Sequence, residues 1–136
     1  MTRGTLNHLA ITVSDLAVAQ ERFYAPFLDH MGYEVAEAHD DFCVWWQPES
    51  GQAVNLWQAK HEAAHERYAP GFHHAGFNAR DRADVDALHA TLSEAGVEIL
   101  DAPAEYNDYA PGYYAAFFAD PDGLKFEYVH MPVIPD

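Results

Sequence analysis

The 136-residue sequence has little positive charge: 7 lysine and arginine residues stand against 22 aspartate and glutamate residues, for a formal net charge of −15. Binding to nucleic acid and to anionic membrane surfaces depends on lysine and arginine. We therefore expect neither as a partner. The acidic excess permits a cationic ligand, but a soluble, self-repelling surface is the simpler explanation.

Cysteine and long apolar segments are also scarce. The single Cys43 excludes an intramolecular disulfide and fits a reducing compartment. No apolar run approaches the ~20 residues that a membrane-spanning helix needs. The residues before the first predicted strand contain no secretory hydrophobic region. Together these absences predict a cytoplasmic protein.

The sequence contains a loose internal repeat that superimposes residues of metal-ligand type. In each copy an aspartate follows a histidine by seven residues, and a glycine precedes a polar strand residue by four; the pairs are His8 and Asp15, His74 and Asp81, Gly51 and Asn55, and Gly123 and Glu127. Two copies related by a pseudo-twofold axis would bring His8, Asn55, His74 and Glu127 together. Two imidazoles and a carboxylate in one pocket are typical of a metal site.

The order of predicted elements gives the fold class. Each copy predicts β-α-β-β-β, so the chain is expected to be an α+β protein with two tandem modules in one domain of residues 1–136. Module one spans about 5–58, a polar linker about 59–71, and module two about 72–131. The linker is expected to be helical or mobile.

Element boundaries follow from alternation, helical spacing and turn residues. The first helix begins near Asp15 and is expected to break at Pro26; the second is capped by Asp81 or Asp84. The predicted strands cover residues 6–13, 33–35, 42–47, 52–58, 72–79, 97–100, 113–119 and 124–130. A loop over 101–112 carries Tyr109, and loops of that length often cover functional sites.

Strand alternation selects which side chains can face a pocket, because successive residues point to opposite faces. His74 shares its face with Gly76, whereas His73 falls on the face expected to pack on the helix. In the last strand Phe126 and Tyr128 are predicted to pack on the helix, and Lys125, Glu127 and Val129 to face the pocket. An inward carboxylate on an apolar strand is costly unless it is paired or metal-bound, so Glu127 favours a metal site over an ion pair with Lys125.

Three segments resemble the vicinal oxygen chelate superfamily, which includes glyoxalase I, type I extradiol dioxygenases, fosfomycin-resistance enzymes and bleomycin-binding proteins. They are residues 6–11 (LNHLAI), 72–77 (FHHAGF) and 118–127 (FADPDGLKFE). The last is the most specific, because a strand, an Asp-Pro-Asp-Gly turn and a strand reaching a glutamate form the family's commonest signature. The resemblance covers nearly the whole chain.

The resemblance implies a half-open, barrel-like mixed sheet around a divalent metal ion (iron, manganese, nickel or zinc) and a homodimer. By position, His8, His74 and Glu127 are the implied metal ligands. Asn55 occupies a fourth position where glyoxalase I has a carboxylate, and an amide cannot serve as a general base near neutral pH. Glu127, Tyr109 and Lys125 are the candidates for catalytic roles.

The expected function is that of a metal-dependent enzyme binding a small oxygenated substrate through two vicinal oxygens. Two histidines and one carboxylate match the facial triad of non-haem iron oxygenases and equally match open manganese or zinc sites. Lyase or isomerase chemistry and dioxygenation therefore both remain open.

The alternative is a non-catalytic binding protein of the bleomycin-resistance type. An aromatic fraction of 14%, with Trp45, Trp46 and Trp57, and the acidic charge suit a planar cationic ligand. His8, His74 and Glu127 favour the enzyme, since such metal-free binders generally lack them.

One further motif is a competing metal site. Residues 61–65 (HEAAH) match the zinc-protease pattern H-E-x-x-H, which needs a helix to place both histidines on one face. The segment is short and polar, and Pro70 and Gly71 follow closely. A solvated linker is the favoured interpretation.

Overall fold

The computed structural model describes residues 2–132 and divides into two compact units, with the boundary between Ala63 and Ala64. Each unit contains one four-stranded mixed sheet and helical structure between its first and second strands. The predicted α+β class and the duplicated β-α-β-β-β order are confirmed. Each sheet is an open sheet with two edge strands rather than a closed barrel.

In the first unit the strand order is β1-β4-β3-β2, with β1 and β4 parallel and the other pairs antiparallel. The elements are β1 (His8–Val13), α1 (Leu16–Ala19), a π-helical turn (Gln20–Tyr24), α2 (Ala25–His30), β2 (Glu34–Ala38), β3 (Phe42–Trp46) and β4 (Ala53–Gln58). The predicted strands are confirmed to within about two residues, except that β2 extends further than predicted.

The burial pattern of β1 and β4 follows the predicted alternation. Ile11 and Val13 are buried while the intervening Thr12 is exposed; on β4, Val54 and Leu56 are buried and Trp57 is exposed. The buried side chains share one sheet face, since β1 and β4 pair in register. Helical residues supply the largest fully buried side chains of the unit, namely Phe23, Tyr24, Phe27 and Leu28.

The prediction that the helix breaks at Pro26 is wrong. Helical structure continues from Leu16 to His30, and its hydrogen-bond pattern changes instead. The Ala25 amide donates to the carbonyl of Gln20, five residues back, and Pro26 then lies in the first turn of α2. Proline lacks an N–H donor and is tolerated in a first helical turn. The π-helical turn thus accommodates the proline without a break.

In the second unit the order is β5-β8-β7-β6, with β5 and β8 parallel. The elements are β5 (His74–Asn78), α3 (Arg82–Glu94), β6 (Glu98–Glu105), β7 (Tyr114–Ala119) and β8 (Lys125–His130). β6 is longer than predicted because it stays paired with β7 beyond two register shifts near Asp101. The predicted loop over 101–112 is therefore confined to residues 106–113.

Two aspartates at the start of α3 cap the helix and connect it to β8. Asp81 accepts a hydrogen bond from the Asp84 amide (2.8 Å), which selects Asp81 as the N-cap. Asp84 accepts from the Arg80 amide (2.9 Å) and from the Tyr128 hydroxyl (2.6 Å). Tyr128 therefore faces the helix, and its neighbour Glu127 points to the opposite face of the sheet.

A tight turn centred on Asp120 connects β7 to β8. Asp120 is 3% exposed, and its Oδ1 accepts hydrogen bonds from the amides of Asp122 (2.9 Å) and Leu124 (2.8 Å). Gly123 adopts a φ of +83°, a left-handed conformation that glycine tolerates best. This turn fixes the register of β8 against β7, and with it the position of Glu127.

The polar linker contains no helix. Residues 59–73 form bends and a turn at 67–68, so a helical linker is not observed. Among the helices of residues 2–132, none is both long and apolar enough to cross a membrane.

Replacing Asp120 by alanine is expected to lower the free energy of unfolding by ~1–3 kcal/mol, since it leaves the buried Leu124 amide without its acceptor. Asp120→Asn keeps one side-chain oxygen and should cost clearly less. Urea unfolding of the three proteins measures the difference. Equal stability of the parent and Asp120→Ala would contradict this role of the turn.

Tyr128→Phe is expected to reduce stability in a pH-dependent way. Burial, followed by the hydrogen bond to Asp84, raises the pKa of Tyr128 above its ordinary value of 10.0. The folded state thus favours the neutral phenol, so this contribution is present below pH 10 and is lost as pH rises through the folded pKa. The stability gap between parent and variant should be about 1–3 kcal/mol at pH 7 and narrow above pH 10.

Urea unfolding at a series of pH values from 7 to 11 measures that gap. Tyr68→Phe is the matched control, because Tyr68 is 79% exposed and should show no gap at any pH. A gap for Tyr128→Phe that stays constant through pH 11 would contradict the assignment.

Candidate functional site

The parallel strand pairs place the repeated polar residues at equivalent positions in the two units. In the first unit Ala10 pairs with Asn55; in the second Gly76 pairs with Glu127. Ala10 lies two positions after His8, and Gly76 lies two positions after His74. Each unit therefore holds a histidine and an oxygen donor on one face of adjacent strands.

Glu127 is the buried ionisable side chain of this face, at 5% exposure. Its Oε1 lies 3.3 Å from Nε2 of His74, and its Oε2 accepts a hydrogen bond from the Tyr113 hydroxyl. Across the sheet it pairs with Phe117 on one side and Gly76 on the other. A carboxylate in such apolar surroundings is stable only with compensating partners.

Gly76 leaves the carboxylate uncovered on the β5 side. A Cβ atom at this position would lie 3.5 Å from Glu127 Oε1, which is an ordinary contact distance. Any side chain longer than that of alanine would extend into the space beside this oxygen. The absence of a side chain at residue 76 therefore keeps the space beside Oε1 open.

Each histidine is held through Nδ1 by the residue that precedes it. Asn7 Oδ1 lies 2.8 Å from His8 Nδ1, and His73 Nδ1 lies 2.7 Å from His74 Nδ1. Histidines that ligate metal through one nitrogen commonly engage the other in a hydrogen bond, which fixes the ring. Both contacts leave Nε2 as the nitrogen available to a ligand.

The contact between His74 and Glu127 can accommodate a cation. If the His74 Nδ1–H group donates a hydrogen bond to His73, then His74 Nε2 directs a lone pair at the Glu127 carboxylate. Two such electron-rich atoms are stable at this distance only with a proton or a metal ion between them. In the other tautomer Nε2–H points at Oε1, and 3.3 Å is long for such a bond. Two donors at ~2.0–2.1 Å from a tetrahedral zinc ion lie about 3.3 Å apart. The donors in the second unit fit a divalent metal.

Desolvation, with smaller contributions from the charges of His74, Lys125 and Arg67, lowers the pKa of His73 below 6.5. A neutral His73 ring near pH 7 carries one N–H and one lone pair. It can therefore accept the Nδ1 hydrogen of His74.

In the first unit the oxygen donor Asn55 has an unsatisfied atom. Its Oδ1 is buried and has no hydrogen-bond partner among the described residues. A buried polar atom without a partner costs free energy, and a ligand or metal ion would satisfy it. His8 is exposed at the start of β1.

No three His, Cys, Asp or Glu side chains within residues 2–132 form a group with metal-binding geometry.

The loop over 106–113 surrounds the Tyr113 side chain with aromatic rings. Tyr109 stacks on Tyr106 (centroids 5.5 Å apart) and meets Tyr113 edge-on at 5.2 Å. Burial, and next the hydrogen bond to Glu127, raises the pKa of Tyr113 above 10.0. Tyr109, the tyrosine that the sequence favoured, is 65% exposed, and the hydroxyl that touches Glu127 belongs to Tyr113.

Sequence reasoning did not single out Tyr113 as the partner of Glu127. Strand alternation could have found it: Tyr113 directly precedes β7, and it shares its parity with Ala115 and Phe117, the residue paired with Glu127.

Lys125 lies near the carboxylate but its ammonium has another partner. Its Nζ lies 4.6 Å from the centroid of the Phe117 ring, within range of a cation–π interaction. Lys125 is therefore on the predicted face, beside Glu127 rather than bonded to it.

The first unit carries a stack of aromatic rings on the sheet face of Asn55. His39 stacks on Phe42 (4.6 Å) and Phe42 stacks on Trp57 (4.8 Å), with interplanar angles of 21° and 15°. Trp57 is 41% exposed and lies two residues after Asn55 on β4. The stack offers an exposed flat apolar side chain beside an unsatisfied oxygen.

The H-E-x-x-H motif lacks the structure that zinc binding by this pattern needs. Residues 61–65 are not helical, so His61 and His65 do not share a helix face. Residues 61–64 are exposed, as expected for a solvated linker, whereas His65 is partly buried.

Comparisons with known proteins agree with this architecture. The chain is 31% identical over 132 residues to the uncharacterized protein YqjT of Bacillus subtilis (strain 168), covering 91% of this chain and 97% of that protein. The crystal structure of a proposed glyoxalase from Bacillus halodurans superimposes with a TM-score of 0.79 and 27% identity, covering 94% and 96% of the two chains.

A glyoxylase/bleomycin resistance protein/dioxygenase domain from Frankia sp. EAN1pec has a TM-score of 0.76, with 96% and 99% of the chains covered. At 22% identity this similarity supports the fold alone. Residues 5–128 match the model of one family. The chain belongs to the Glyoxalase/Bleomycin resistance protein/Dioxygenase superfamily.

Proposed function

We propose that this protein is a metal-dependent vicinal oxygen chelate enzyme acting on a small substrate with two adjacent oxygen atoms. The observation that carries the proposal is the buried Glu127 carboxylate, whose Oε1 lies 3.3 Å from His74 Nε2 in a family-typical position. An isolated buried carboxylate is rare, and a histidine with its other nitrogen engaged is the partner that a metal site would use.

His8, His74 and Glu127 are the proposed metal ligands, with Asn55 at a fourth position. The chemistry of this set suits iron, manganese, nickel or zinc in the divalent state. Such an ion would supply Lewis-acid polarisation of the substrate oxygens. Asn55 would ligate weakly through Oδ1 or accept a hydrogen bond from a bound water, in keeping with its unsatisfied Oδ1.

The remaining residues supply orientation and charge. Lys125 places a positive charge at the edge of the Glu127 site, where an anionic substrate oxygen would gain from it. Tyr109 is exposed on the loop and offers a hydroxyl to a bound substrate. Asn55 cannot act as a general base, which argues against ordinary glyoxalase I chemistry and leaves lyase, isomerase and dioxygenase reactions as the candidates.

The same proposal includes a small-molecule substrate, a homodimer and a cytoplasmic location, with neither nucleic acid nor membrane as a partner. The net charge of −15 supports the exclusion of polyanionic partners.

Metal analysis tests the proposal. Untagged protein purified without chelator and then reconstituted is expected to bind about one equivalent of a divalent transition metal, as is usual for a mononuclear site, measured by inductively coupled plasma mass spectrometry. His74→Ala and Glu127→Ala should lose the metal, since each removes a proposed ligand. Bound iron would direct activity screening to catechols, and nickel, zinc or manganese to glyoxalase-like and epoxide substrates.

His61→Ala is the control for adventitious binding by the linker, and it should retain the metal. Failure of the parent protein to bind any metal after reconstitution would exclude the chelate mechanism. Loss of metal in His61→Ala with retention in Glu127→Ala would move the site to the linker.

The second candidate function is metal-independent binding of a planar aromatic cation. The ring stack that ends at Trp57 favours it, because a flat ligand can extend an aromatic stack and an acidic protein attracts a cation. This candidate makes no use of the His74–Glu127 contact, which is why we place it second.

Calorimetric titration of chelator-treated protein with an acridinium dye tests that candidate. Binding that survives metal removal and weakens about tenfold in Trp57→Ala, for a stacking contribution of ~1.4 kcal/mol, would support it. Tyr68→Ala is the control for loss of an exposed aromatic ring elsewhere. No binding by metal-free protein would rule the binder out for this ligand class.

A further inference from the structure

The two oxygens of Glu127 have different partners. Oε1 faces His74 Nε2 and the open space beside Gly76, whereas Oε2 accepts a hydrogen bond from the Tyr113 hydroxyl. A carboxylate attached to a flexible side chain can exchange its oxygens by rotation about its last bond. A donor fixed on one oxygen removes that freedom.

We propose that Tyr113 is a positioning residue for Glu127, which holds Oε2 so that Oε1 alone is presented on the His74 side. The expected effect of Tyr113 on metal binding rests on the proposed function. The hydrogen bond between Tyr113 and Glu127 does not depend on that function, because both side chains belong to the second unit.

The loop that carries Tyr113 is built to hold it in place. The Tyr106 amide donates to the Tyr113 carbonyl (2.8 Å), and the Tyr113 amide donates to the Ala110 carbonyl (3.1 Å). Asn107 accepts from the Gly112 amide (2.9 Å), which closes the loop from within. Both backbone groups of Tyr113 are thus bonded.

The ring of Tyr113 is also packed. It lies against the small core of Ala115, Phe117 and Val129, and the Tyr106 ring meets it edge-on with centroids 6.4 Å apart. A phenol fixed at its backbone and its ring presents its hydroxyl at one place. Burying that hydroxyl without Glu127 would leave a donor unsatisfied, so each group satisfies the other.

The consequence for a metal ion concerns how Glu127 would bind it. With Oε2 engaged, the carboxylate would offer one oxygen rather than both, which leaves other coordination positions for a substrate. Hydrogen bonds to metal-ligating carboxylates commonly change metal affinity by ~10–100-fold when removed. Tyr113 would therefore influence metal binding without contacting the metal.

Metal affinity in Tyr113→Phe tests the inference. Competition against a chromogenic chelator for Co(II) should show affinity weakened by ~10–100-fold, with a changed visible Co(II) spectrum because Glu127 is no longer restricted to one oxygen. Tyr114→Phe is the matched control: its hydroxyl also donates to a carboxylate, Asp86 at 2.6 Å, on the helix side. That variant should keep both the affinity and the spectrum of the parent. Unchanged affinity and spectrum in Tyr113→Phe would overturn the proposal.

A double-mutant cycle on metal-free protein separates this inference from the proposed function. The urea midpoint shifts of Tyr113→Phe and Glu127→Ala should be non-additive in the double variant, because each removes one partner of the same hydrogen bond. Additive shifts would overturn the inference. A parent that binds no metal but shows a non-additive cycle would exclude the metal function while supporting the positioning contact.

Discussion

The parallel pairing of the first strand of each unit with its last strand is the constraint on which the candidate site depends. It brings together residues that are 45 positions apart in the first unit, Ala10 and Asn55, and 51 apart in the second, Gly76 and Glu127. Because side chains alternate along a strand, this register also determines that His8 and His74 face the same way as those partners. A slip of one residue in the last strand of a unit would turn its donor, Asn55 or Glu127, toward the opposite face of the sheet.

Tyrosine–carboxylate hydrogen bonds recur in the second unit in different surroundings. Tyr128 and Tyr114 bond to aspartates of α3, so those contacts join the helix to the sheet. The third bond, from Tyr113 to Glu127, lies on the opposite sheet face and joins a loop to a strand. The same chemistry thus stabilises the fold on one face and orders a buried charge on the other. The difference lies in burial, since Glu127 has little access to water.

Much of the architecture was predictable because it depends on local periodicity. Alternation along β1 and β4, the capping of α3 by Asp81 or Asp84 and the turn before β8 all follow from residue types at short spacing. The sequence did not reveal that β6 would extend past Leu100, because its pairing with β7 continues through register shifts that leave no clear pattern. It also did not identify Tyr113 as a partner of Glu127, since that contact depends on a loop conformation. The sequence predicted the sheet face of the candidate site and its donor side chains. It did not predict the hydrogen bonds that fix the orientation of those side chains.

The glycine at position 76 has a consequence for ligand size. Since the cross-strand neighbour of Glu127 on β5 has no side chain, main-chain atoms form that wall of the space beside Oε1. Main-chain atoms in a hydrogen-bonded sheet hold a fixed spacing of ~4.7–4.9 Å between strands. This wall cannot adapt by rotamer changes, as a wall of side chains would. The β5 side of the space beside Oε1 is therefore set by the sheet backbone, whereas its boundary at His74 is a side chain.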